Sequence, residues 1–500
     1  MTPSTPLIIV SRPERSVEDL RRALPELAGT GTVAEIRVDR LPEPELARLD
    51  GLFPSPVPLL ATYRSRSEGG EGDDAGDRRE QVLRRLLSLP FSFIDLESRN
   101  DAPLVAHRAS EATGPRGIVS THLARDPSLD EIEKVLSSIA PPSMWTKVVI
   151  PGTLDRFYRE IRPLLIRSST EPPSRIVHTS GPSGPILRAR AAAFDLPAVF
   201  AGPPLTSMAS PVELSQPPFD ALARYLAAGT DGRLFGVLGH PVSHSSSPRL
   251  HMRWFHAMGE PGLYVALDVL SETELQYVLG PLHEDGFGGF NVTHPWKAAA
   301  LGAASRASPA ARAAGCANTL THEGGGWFAD NFDVDAVERR LRELRASGAW
   351  PGTDLLVLGS GGAARATIIA ADRLGLRAQV LARDRHRVRS LVHDLGATVP
   401  EQPDSPASLI VQATPVGRSD AGTLEVPWHE HLRAGTYFLD FVYRPDRPEL
   451  RSEVEARRGT YEDGSRLLIY QAVETHRRWW GVPPRDDLVD AAMKEAGCAA

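Results

Sequence analysis

A lysine inside an apolar strand pattern is the first sign of chemistry in this sequence. Lys147 lies in the run MWTKVVIP, where strand alternation places it on the same face as Trp145 and Val149. A lysine on a packed interior face is costly unless it is used. Burial favours the uncharged amine, which can form a Schiff base with a ketone. The alternative is that Lys147 extends to the rim and keeps its charge in water.

Further charged groups fall inside neighbouring strand patterns. Glu35, Arg37 and Asp39 stand two residues apart in EIRVD, so we expect all three on one strand face. His122 ends the run GIVSTH, at a position where a base would lie beside Lys147. Charges in such places are hard to reconcile with a purely structural role, and they predict an active site in the first half.

Three polar clusters mark the second half. SHSSSP (243–248) follows a strand pattern, and its closely spaced hydroxyls could hold a carboxylate. NVTHPWK (291–297) ends another strand pattern, and DNFD (330–333) begins a helical one. Taken singly, they are explained by a hydroxyl-stabilised turn, a solvated lysine and an N-cap aspartate.

A glycine-rich turn predicts a dinucleotide site. GSGGAA (359–364) fits GxGxxA, follows an apolar strand pattern and precedes a helical one, although a plain glycine-rich turn is the alternative. Arg383 stands about 20 residues after the turn, where an acid would select NAD, and an arginine there suits the 2′-phosphate of NADP. The predicted cofactor-binding residues are Gly359, Gly361, Gly362, Ala363, Ala364, Arg383, Arg387 and Thr414.

The elements that position the first group alternate between strand and helix. Eight strand patterns in residues 1–228, each followed by a helical pattern, indicate a (β/α)8 barrel, with a doubly wound sheet as the alternative. The strand patterns are Leu7–Val10, Val33–Asp39, Pro58–Ser65, Phe91–Glu97, Gly117–His122, Met144–Pro151, Arg175–Ser180 and Ala198–Gly202. The helical patterns include Asp77–Leu89, Ser128–Ala140 and Thr153–Arg167, with Asp77 and Ser128 as N-caps.

The pattern changes at Gly229–Gly232, and a βαβ series of the nucleotide-binding type begins at Asp354. We therefore predict an α/β protein with an N-terminal (β/α)8 barrel followed by a two-domain unit that includes a Rossmann-type domain. The predicted domains are the barrel (1–228), a substrate-binding domain (229–335) onto which helices of 465–500 pack back, and the cofactor domain (336–464).

Composition excludes several classes of protein. The chain has 500 residues with 56 Lys and Arg against 63 Asp and Glu, so it offers no basic surface to a nucleic acid. No apolar run reaches the roughly 18 residues of a membrane span, and the apolar run near the N-terminus is too short for a signal peptide. Two cysteines without a CxxC pair favour a reducing compartment, so we expect a cytoplasmic protein. No metal site is expected, since HExxH is absent.

Residues 234–500 resemble shikimate dehydrogenase. The matching stretches, in the family's order, are GHPVSHSSSP, GFNVTHPWK, GCANTL, DNFDV, GSGGAAR, FVYRPDRPEL and DGSRLLIYQA. The resemblance implies NADPH-dependent reduction of 3-dehydroshikimate, with Lys297 and Asp333 as the proton-handling pair. The substrate-binding residues that it implies are Ser245, Ser247, Asn291, Thr293, Asn318, Tyr443 and Gln471.

Residues 7–215 resemble type I 3-dehydroquinate dehydratase through EIRVD, TYRSRSEGG, FIDLE, STH, TKVVIP and SGPSGPILR. The resemblance implies Lys147 as the Schiff-base lysine, His122 as general acid and base, and Glu68 as the carboxylate that orients it. The substrate-binding residues that it implies are Glu35, Arg37, Arg64 and Arg188. Together the two resemblances imply a bifunctional enzyme of the shikimate pathway, which leads to chorismate and aromatic amino acids. Its partners would be small molecules, and a homodimer is left open.

Both resemblances are incomplete. The family's Asp-Phe after the barrel histidine is Leu123-Ala124 here, and its last substrate loop falls on Ala209 and Glu213. In the second half, Phe332 and Val334 flank the reactive aspartate in place of the usual Thr and Gly. Two alternatives therefore stay open: a dehydrogenase with a degenerate barrel, and a non-enzymatic metabolite sensor.

Overall fold

The computed structural model describes residues 5–138, 140–141, 143–168, 175–205, 216–243, 245–400, 407–417, 423–443 and 449–498. The chain divides into two compact units, Met1–Gly236 with Pro241–Gly286 and Val237–His240 with Phe287–Ala500. Ala209 and Glu213 of the last barrel loop lie outside the described residues. The predicted domain bounds rest on sequence patterns and stay a prediction.

Eight parallel strands build the first part of unit one. They are β1 (Leu7–Arg12), β2 (Val33–Arg37), β3 (Leu59–Thr62), β4 (Phe93–Glu97), β5 (Arg116–His122), β6 (Trp145–Pro151), β7 (Arg175–Ser180) and β8 (Ala198–Ala201). Neighbours follow in the order β7-β6-β5-β4-β3-β2-β1-β8. The two ends meet, because the rings of His178 in β7 and Phe200 in β8 have centroids 5.0 Å apart. The barrel expected from the sequence is confirmed.

Helices connect these strands. They are α1 (Val17–Ala23), α2 (Glu43–Leu46), α3 (Asp77–Ser88), α4 (Ala102–Ser110), α5 (Leu129–Ser137), α6 (Leu154–Arg156), α7 (Arg162–Ser168), α8 (Gly184–Ala189) and α9 (Phe219–Ala227). Ser128 caps α5 as predicted and forms a capping box with Glu131. The prediction of Asp77 as an N-cap is wrong. Gly76 takes that position with φ 100°, and Asp77 lies in the first turn, where its charge favours the helix dipole.

Alternation along the strands places two layers of side chains inside the barrel. The lower layer is apolar and consists of Ile9, Val33, Leu60, Phe93, Ile118, Trp145, Ile176 and Ala198. Two residues further along each strand, the next side chain faces the same interior. We call this upper layer the interior ring; its members are Ser11, Glu35, Thr62, Asp95, Ser120, Lys147, His178 and Phe200.

The second strand is shorter than predicted. β2 ends at Arg37, and Asp39 falls in the turn Val38–Arg40. There the Arg37 guanidinium donates to both carboxylate oxygens of Asp39, at 2.9 and 2.7 Å, so the chain turns around this ion pair instead of extending further.

Unit one also contains elements beyond the barrel. β9 (Arg233–Gly239) runs from unit one into unit two, and α10 (Ser247–Met258), β10 (Gly262–Asp268) and α11 (Glu272–Glu284) follow it. Glu274 in α11 accepts a hydrogen bond of 2.9 Å from the backbone N–H of Asp155 in α6. Asp285, 2% exposed, accepts from Arg162 Nη2 at 3.1 Å. These contacts join α11 to the barrel.

Unit two contains two groups of strands. β11 (Phe287–Val292), β12 (Arg306–Ala307), β13 (Thr319–Glu323) and β14 (Gly326–Asp330) are neighbours in the order β11-β13-β14-β12. A parallel sheet of the Rossmann type has the order β16-β15-β17-β18-β19 and consists of β15 (Asp354–Leu358), β16 (Arg377–Leu381), β17 (Leu409–Gln412), β18 (Tyr437–Asp440) and β19 (Thr460–Glu462). The expected Rossmann-type sheet is confirmed.

The helices of unit two follow the same order along the chain. They are α12 (Lys297–Ala303), α13 (Pro309–Ala314), α14 (Asp333–Ala346), α15 (Gly362–Arg373), α16 (Arg385–Leu395), α17 (Glu449–Ala456), α18 (Ser465–Trp480) and α19 (Asp486–Glu495). Throughout the described ranges, no helix combines the length and the apolar character needed to cross a membrane.

Candidate active sites

Lys147 is buried in the interior ring and does not reach the rim. Its residue is 5% exposed, and its Nζ donates to Asp95 Oδ2 at 3.1 Å. The same Nζ lies 4.3 Å from the centroid of the Phe200 ring. β6 therefore holds a primary amine between one carboxylate and one aromatic face, at the centre of the barrel.

Arg64 connects the carboxylates around Lys147. Its Nη2 lies 2.8 Å from Asp95 Oδ2, and its Nη1 lies 2.8 Å from Glu68 Oε2 and 3.3 Å from Glu97 Oε1. Burial alone would raise the pKa of Asp95, but the charges of Arg64 and Lys147 and a hydrogen bond from Ser120 outweigh it and hold that pKa below its usual value. Asp95 thus stays ionised beside the amine.

His122, at the end of β5, is paired with Glu68. Nδ1 of the imidazole lies 2.7 Å from Glu68 Oε2. A carboxylate only accepts, so Nδ1 carries the proton and Nε2 is left as a base. Burial, together with the positive charges of Arg64 and Lys147, lowers the pKa of His122 to about 3. The ring is therefore neutral near pH 7.

The four predicted substrate-binding residues of the barrel occupy different surroundings. Glu35 lies in the interior ring and accepts from Ser11 Oγ at 2.5 Å and from Thr62 Oγ1 at 2.8 Å. Arg37 is held by Asp39, and Arg64 belongs to the carboxylate network. The buried Arg188 donates to the backbone oxygens of Phe200 and Gly184, and burial lowers its pKa to about 10.

Sequence reasoning missed several members of this site. Asp95 and Glu97 lie in the stretch FIDLE, but no sequence motif assigns them a role. The same is true of Ser120 and His178. The alternation of inward- and outward-facing side chains along each strand could have identified them. Once Phe93, Ile118 and Ile176 are assigned to the apolar layer, the residue two positions later must face the same interior.

In unit two, Lys297 and Asp333 form an ion pair. Lys297 Nζ lies 2.5 Å from Asp333 Oδ2, and the two side chains are 26% and 11% exposed. Asn318 Nδ2 donates to the other carboxylate oxygen, Oδ1, at 3.0 Å. The amide thereby fixes the carboxylate while the ammonium stays partly open to solvent.

Other predicted substrate residues lie around β11 and α18. Asn291 is buried, and its Nδ2 donates to Thr475 Oγ1 at 3.2 Å and lies 3.5 Å from Gln471 Oε1. The backbone N–H of Thr293 donates to the Leu238 oxygen at 2.9 Å, in the part of β9 that belongs to unit two. Tyr443 is half-buried.

The glycine-rich turn lies at the end of β15, beside Lys297. Gly359 has φ +120°, and a Cβ there would lie 3.0 Å from Thr414 Cγ2. A Cβ on Gly361 would meet no atom within 4 Å, so this face is open to a ligand. A Cβ on Gly362 would lie 2.7 Å from Cys316 Sγ and 3.9 Å from Lys297 Cδ. The turn, together with Ala363 and Ala364 in α15, fits a pyrophosphate group.

The predicted phosphate-binding arginines lie on the surface. Arg383, just after β16, lies 2.9 Å from Glu425, and the two side chains are 69% and 60% exposed. Arg387 lies 3.3 Å from Asp384 and is similarly exposed. Exposed ion pairs contribute little energy, so both guanidinium groups can exchange these partners for a phosphate.

Ser245 and Ser247 belong to unit one. Both are buried, and the backbone N–H of Ser247 donates to Ser245 Oγ at 3.3 Å at the beginning of α10. Among the described residues, no group of three or more His, Cys, Asp or Glu side chains is arranged to hold a metal ion.

Two family models match this chain. Residues 8–149 match the family model of type I 3-dehydroquinase, a range that includes Lys147, His122 and Glu68. Residues 237–320 match the model of the shikimate dehydrogenase substrate binding domain, a range that includes Lys297 and Asn318.

Similar proteins cover both parts of the chain. A shikimate dehydrogenase (NADP(+)) of Anaeromyxobacter dehalogenans is 35% identical over 283 residues, which are 53% of this chain and 97% of the relative. The crystal structure of the Thermus thermophilus shikimate 5-dehydrogenase in complex with NADP(H) and shikimate is 32% identical, with a TM-score of 0.47 and coverage of 53% of this chain and 99% of the other. A structure described as dehydroquinate dehydratase and shikimate dehydrogenase from S. pombe covers 98% of both chains at 21% identity and a TM-score of 0.43.

The dehydrogenase relative is matched over 97% of its length. The type I 3-dehydroquinase model matches residues 8–149, in the first half of the sequence. The chain therefore belongs to the shikimate dehydrogenase family through its second half and carries a type I 3-dehydroquinase domain in its first.

Proposed function

We propose that the chain catalyses two consecutive reactions, dehydration of 3-dehydroquinate in the barrel and NADPH-dependent reduction of 3-dehydroshikimate in the second half. The observation that carries the proposal is the buried Lys147, which faces the barrel interior beside the His122–Glu68 pair. A purely structural barrel has no need of a desolvated amine next to a neutral imidazole.

The first reaction begins on Lys147. Its amine adds to the ketone carbon and water leaves, which gives an iminium that withdraws electrons from the adjacent C–H bond. His122 takes that proton through Nε2 while Glu68 holds Nδ1. The enamine electrons then expel the substrate hydroxyl, which takes the proton back from His122 and leaves as water, and hydrolysis of the iminium releases 3-dehydroshikimate and restores the amine. The groups that we propose to hold the substrate are Glu35, Arg37, Arg64 and Arg188.

The second reaction uses the ion pair of unit two. Bound NADPH supplies a hydride to the ketone carbon. Lys297 donates a proton to the ketone oxygen as it becomes an alkoxide, and Asp333 orients the ammonium group. The remaining groups that we propose to bind the substrate are Ser245, Ser247, Asn291, Thr293, Asn318, Tyr443 and Gln471. The glycine-rich turn, Thr414, Arg383 and Arg387 would hold NADPH.

Covalent trapping tests the first reaction. Borohydride added to the full chain with 3-dehydroquinate should reduce the iminium and leave a stable adduct on Lys147, located by peptide mass spectrometry. Lys147→Ala should abolish both adduct and dehydration. Lys134→Ala, an exposed lysine on α5, serves as the matched control and should leave both unchanged.

A negative trapping result would contradict the first reaction. Absence of an adduct and of dehydration in the unmutated chain would leave a dehydrogenase with a degenerate barrel. Consumption of NADPH with 3-dehydroshikimate, measured on the same preparation, tests the second reaction independently.

The proposal extends to location and assembly. A cytoplasmic location is supported by the two cysteines, Cys316 and Cys498, which are free thiols. Whether the chain forms a homodimer is left to sedimentation velocity.

A further inference from the structure

His178 is a polar member of the interior ring without a hydrogen-bond partner. It is 4% exposed, and neither of its ring nitrogens has a partner among the described residues. The other polar members are paired: Ser11 and Thr62 donate to Glu35, and Ser120 and Lys147 donate to Asp95. A buried polar group without a hydrogen-bond partner is unfavourable. An unpaired imidazole in the interior ring therefore indicates that a bound ligand supplies the missing partner.

The position of His178 is next to the proposed nucleophile. β7 follows β6 in the barrel, and Phe200 contacts both side chains: its ring centroid lies 4.3 Å from Lys147 Nζ and 5.0 Å from the centre of the His178 ring. The imidazole meets that aromatic ring edge-on, at 90°. A molecule bonded to Lys147 therefore brings its neighbouring atoms close to His178.

The surroundings keep this imidazole neutral. Burial, with the nearby positive charges of Arg188 and Lys147, holds the pKa of His178 well below its usual value. A neutral imidazole offers one N–H donor and one acceptor nitrogen. An alcohol hydroxyl has the complementary pair, whereas a carboxylate only accepts and is better served by Arg64 or Arg188.

We propose that His178 is a positioning residue that hydrogen-bonds a hydroxyl group of the substrate while that substrate is covalently attached to Lys147. The inference rests on the proposed dehydratase reaction and adds a specificity to it: the barrel selects cyclic keto acids with a hydroxyl near the ketone. His122 keeps its role as the base, and His178 holds the ring in place.

Two substitutions in the full chain separate this role from packing. His178→Met keeps much of the bulk but has no N–H donor, so kcat/KM for dehydration of 3-dehydroquinate should fall about three- to tenfold, the equivalent of one neutral hydrogen bond. The change should appear mainly in KM, and borohydride should still trap the adduct on Lys147. His178→Gln supplies a donor and an acceptor again and should restore kcat/KM to within about twofold.

The neighbouring residue provides the matched control. Thr179 is also buried, its Oγ1 also lacks a hydrogen-bond partner among the described residues, and it lies on the opposite face of β7. Thr179→Val should leave kcat and KM unchanged.

Each outcome decides between the ideas. Normal kcat/KM in His178→Met, while the unmutated chain dehydrates 3-dehydroquinate, overturns the role of His178 alone. Loss of activity in both His178 variants, with a lowered Tm in both, shows a packing role and also overturns it. Absence of dehydration in the unmutated chain overturns the proposed function and this inference together.

Discussion

Lys147 and Lys297 occupy surroundings that suit different tasks. Lys147 is 5% exposed as a residue and lies between Asp95 and the Phe200 ring. The Lys297 side chain is 26% exposed, and its Nζ lies 2.5 Å from Asp333 Oδ2. A lysine that forms a covalent bond gains from burial, since bulk water would hydrolyse the iminium before the hydroxyl has left. A lysine that delivers a proton must recover it from solvent in every cycle.

Lys297→Ala should reduce kcat for reduction of 3-dehydroshikimate at least tenfold and leave KM within a few-fold. The lost interaction forms as the alkoxide develops, so it stabilises the transition state more than the bound substrate. Steady-state kinetics with NADPH would measure this, and Lys494→Ala, an exposed lysine of α19, is the control. A kcat within tenfold of the unmutated value, about 1.4 kcal/mol, would refute the assigned role.

Individual strands show which structural features can be predicted from the sequence and which cannot. The strand that carries Lys147 was predicted as Met144–Pro151 and runs from Trp145 to Pro151, because a long β-branched run has few alternatives. Asp95 is not predictable in this way, because FIDLE is a mostly apolar run and the environment of Asp95 depends on Arg64, which lies just after β3. The end of β2 at Arg37 depends on an ion pair with Asp39, which strand propensity does not encode.

The strand β16 leads to a prediction about cofactor choice. Arg383→Ala, just beyond the C-terminal end of this strand, should reduce kcat/KM with NADPH about tenfold or more and change the value with NADH little, because a charge-assisted bond to the 2′-phosphate is lost. Initial rates with both cofactors would measure the ratio. Arg377→Ala, exposed at the other end of the same strand, should leave the ratio unchanged. Equal preference for both cofactors in the unmutated chain would contradict the prediction.

At the scale of the whole molecule, packing joins residues that the sequence patterns separate. The pattern of strands and helices changes at Gly229–Gly232, which predicts a boundary there, and residues 241–286 belong to the same compact unit as the barrel. The contacts responsible join Asp155 with Glu274 and Arg162 with Asp285. Such pairs are more than a hundred residues apart in the chain, so no local pattern could predict them.

Arg162→Met should destabilise unit one. The change removes the guanidinium that lies 3.1 Å from the buried carboxylate of Asp285, while Arg190 Nε is 4.0 Å away, and loss of one partner of a buried pair costs about 3 kcal/mol. Urea denaturation followed by tryptophan fluorescence would measure the free energy of unfolding. Arg84→Ala breaks an exposed pair with Glu80 and should cost at most about 1 kcal/mol. Equal effects of the two substitutions would show that the junction adds no stability.

The contacts between α11 and the barrel also determine the order in which parts of the chain can fold during synthesis. Arg162 and Arg190 are synthesised well before Asp285. The segment 241–286 therefore leaves the ribosome after all eight barrel strands have been synthesised. At roughly 5–20 residues per second, the rest of the chain follows over roughly 10–40 s. Nascent chains paused near residue 320 should therefore already resist proteases through α11, while Lys297 has yet to meet Asp333.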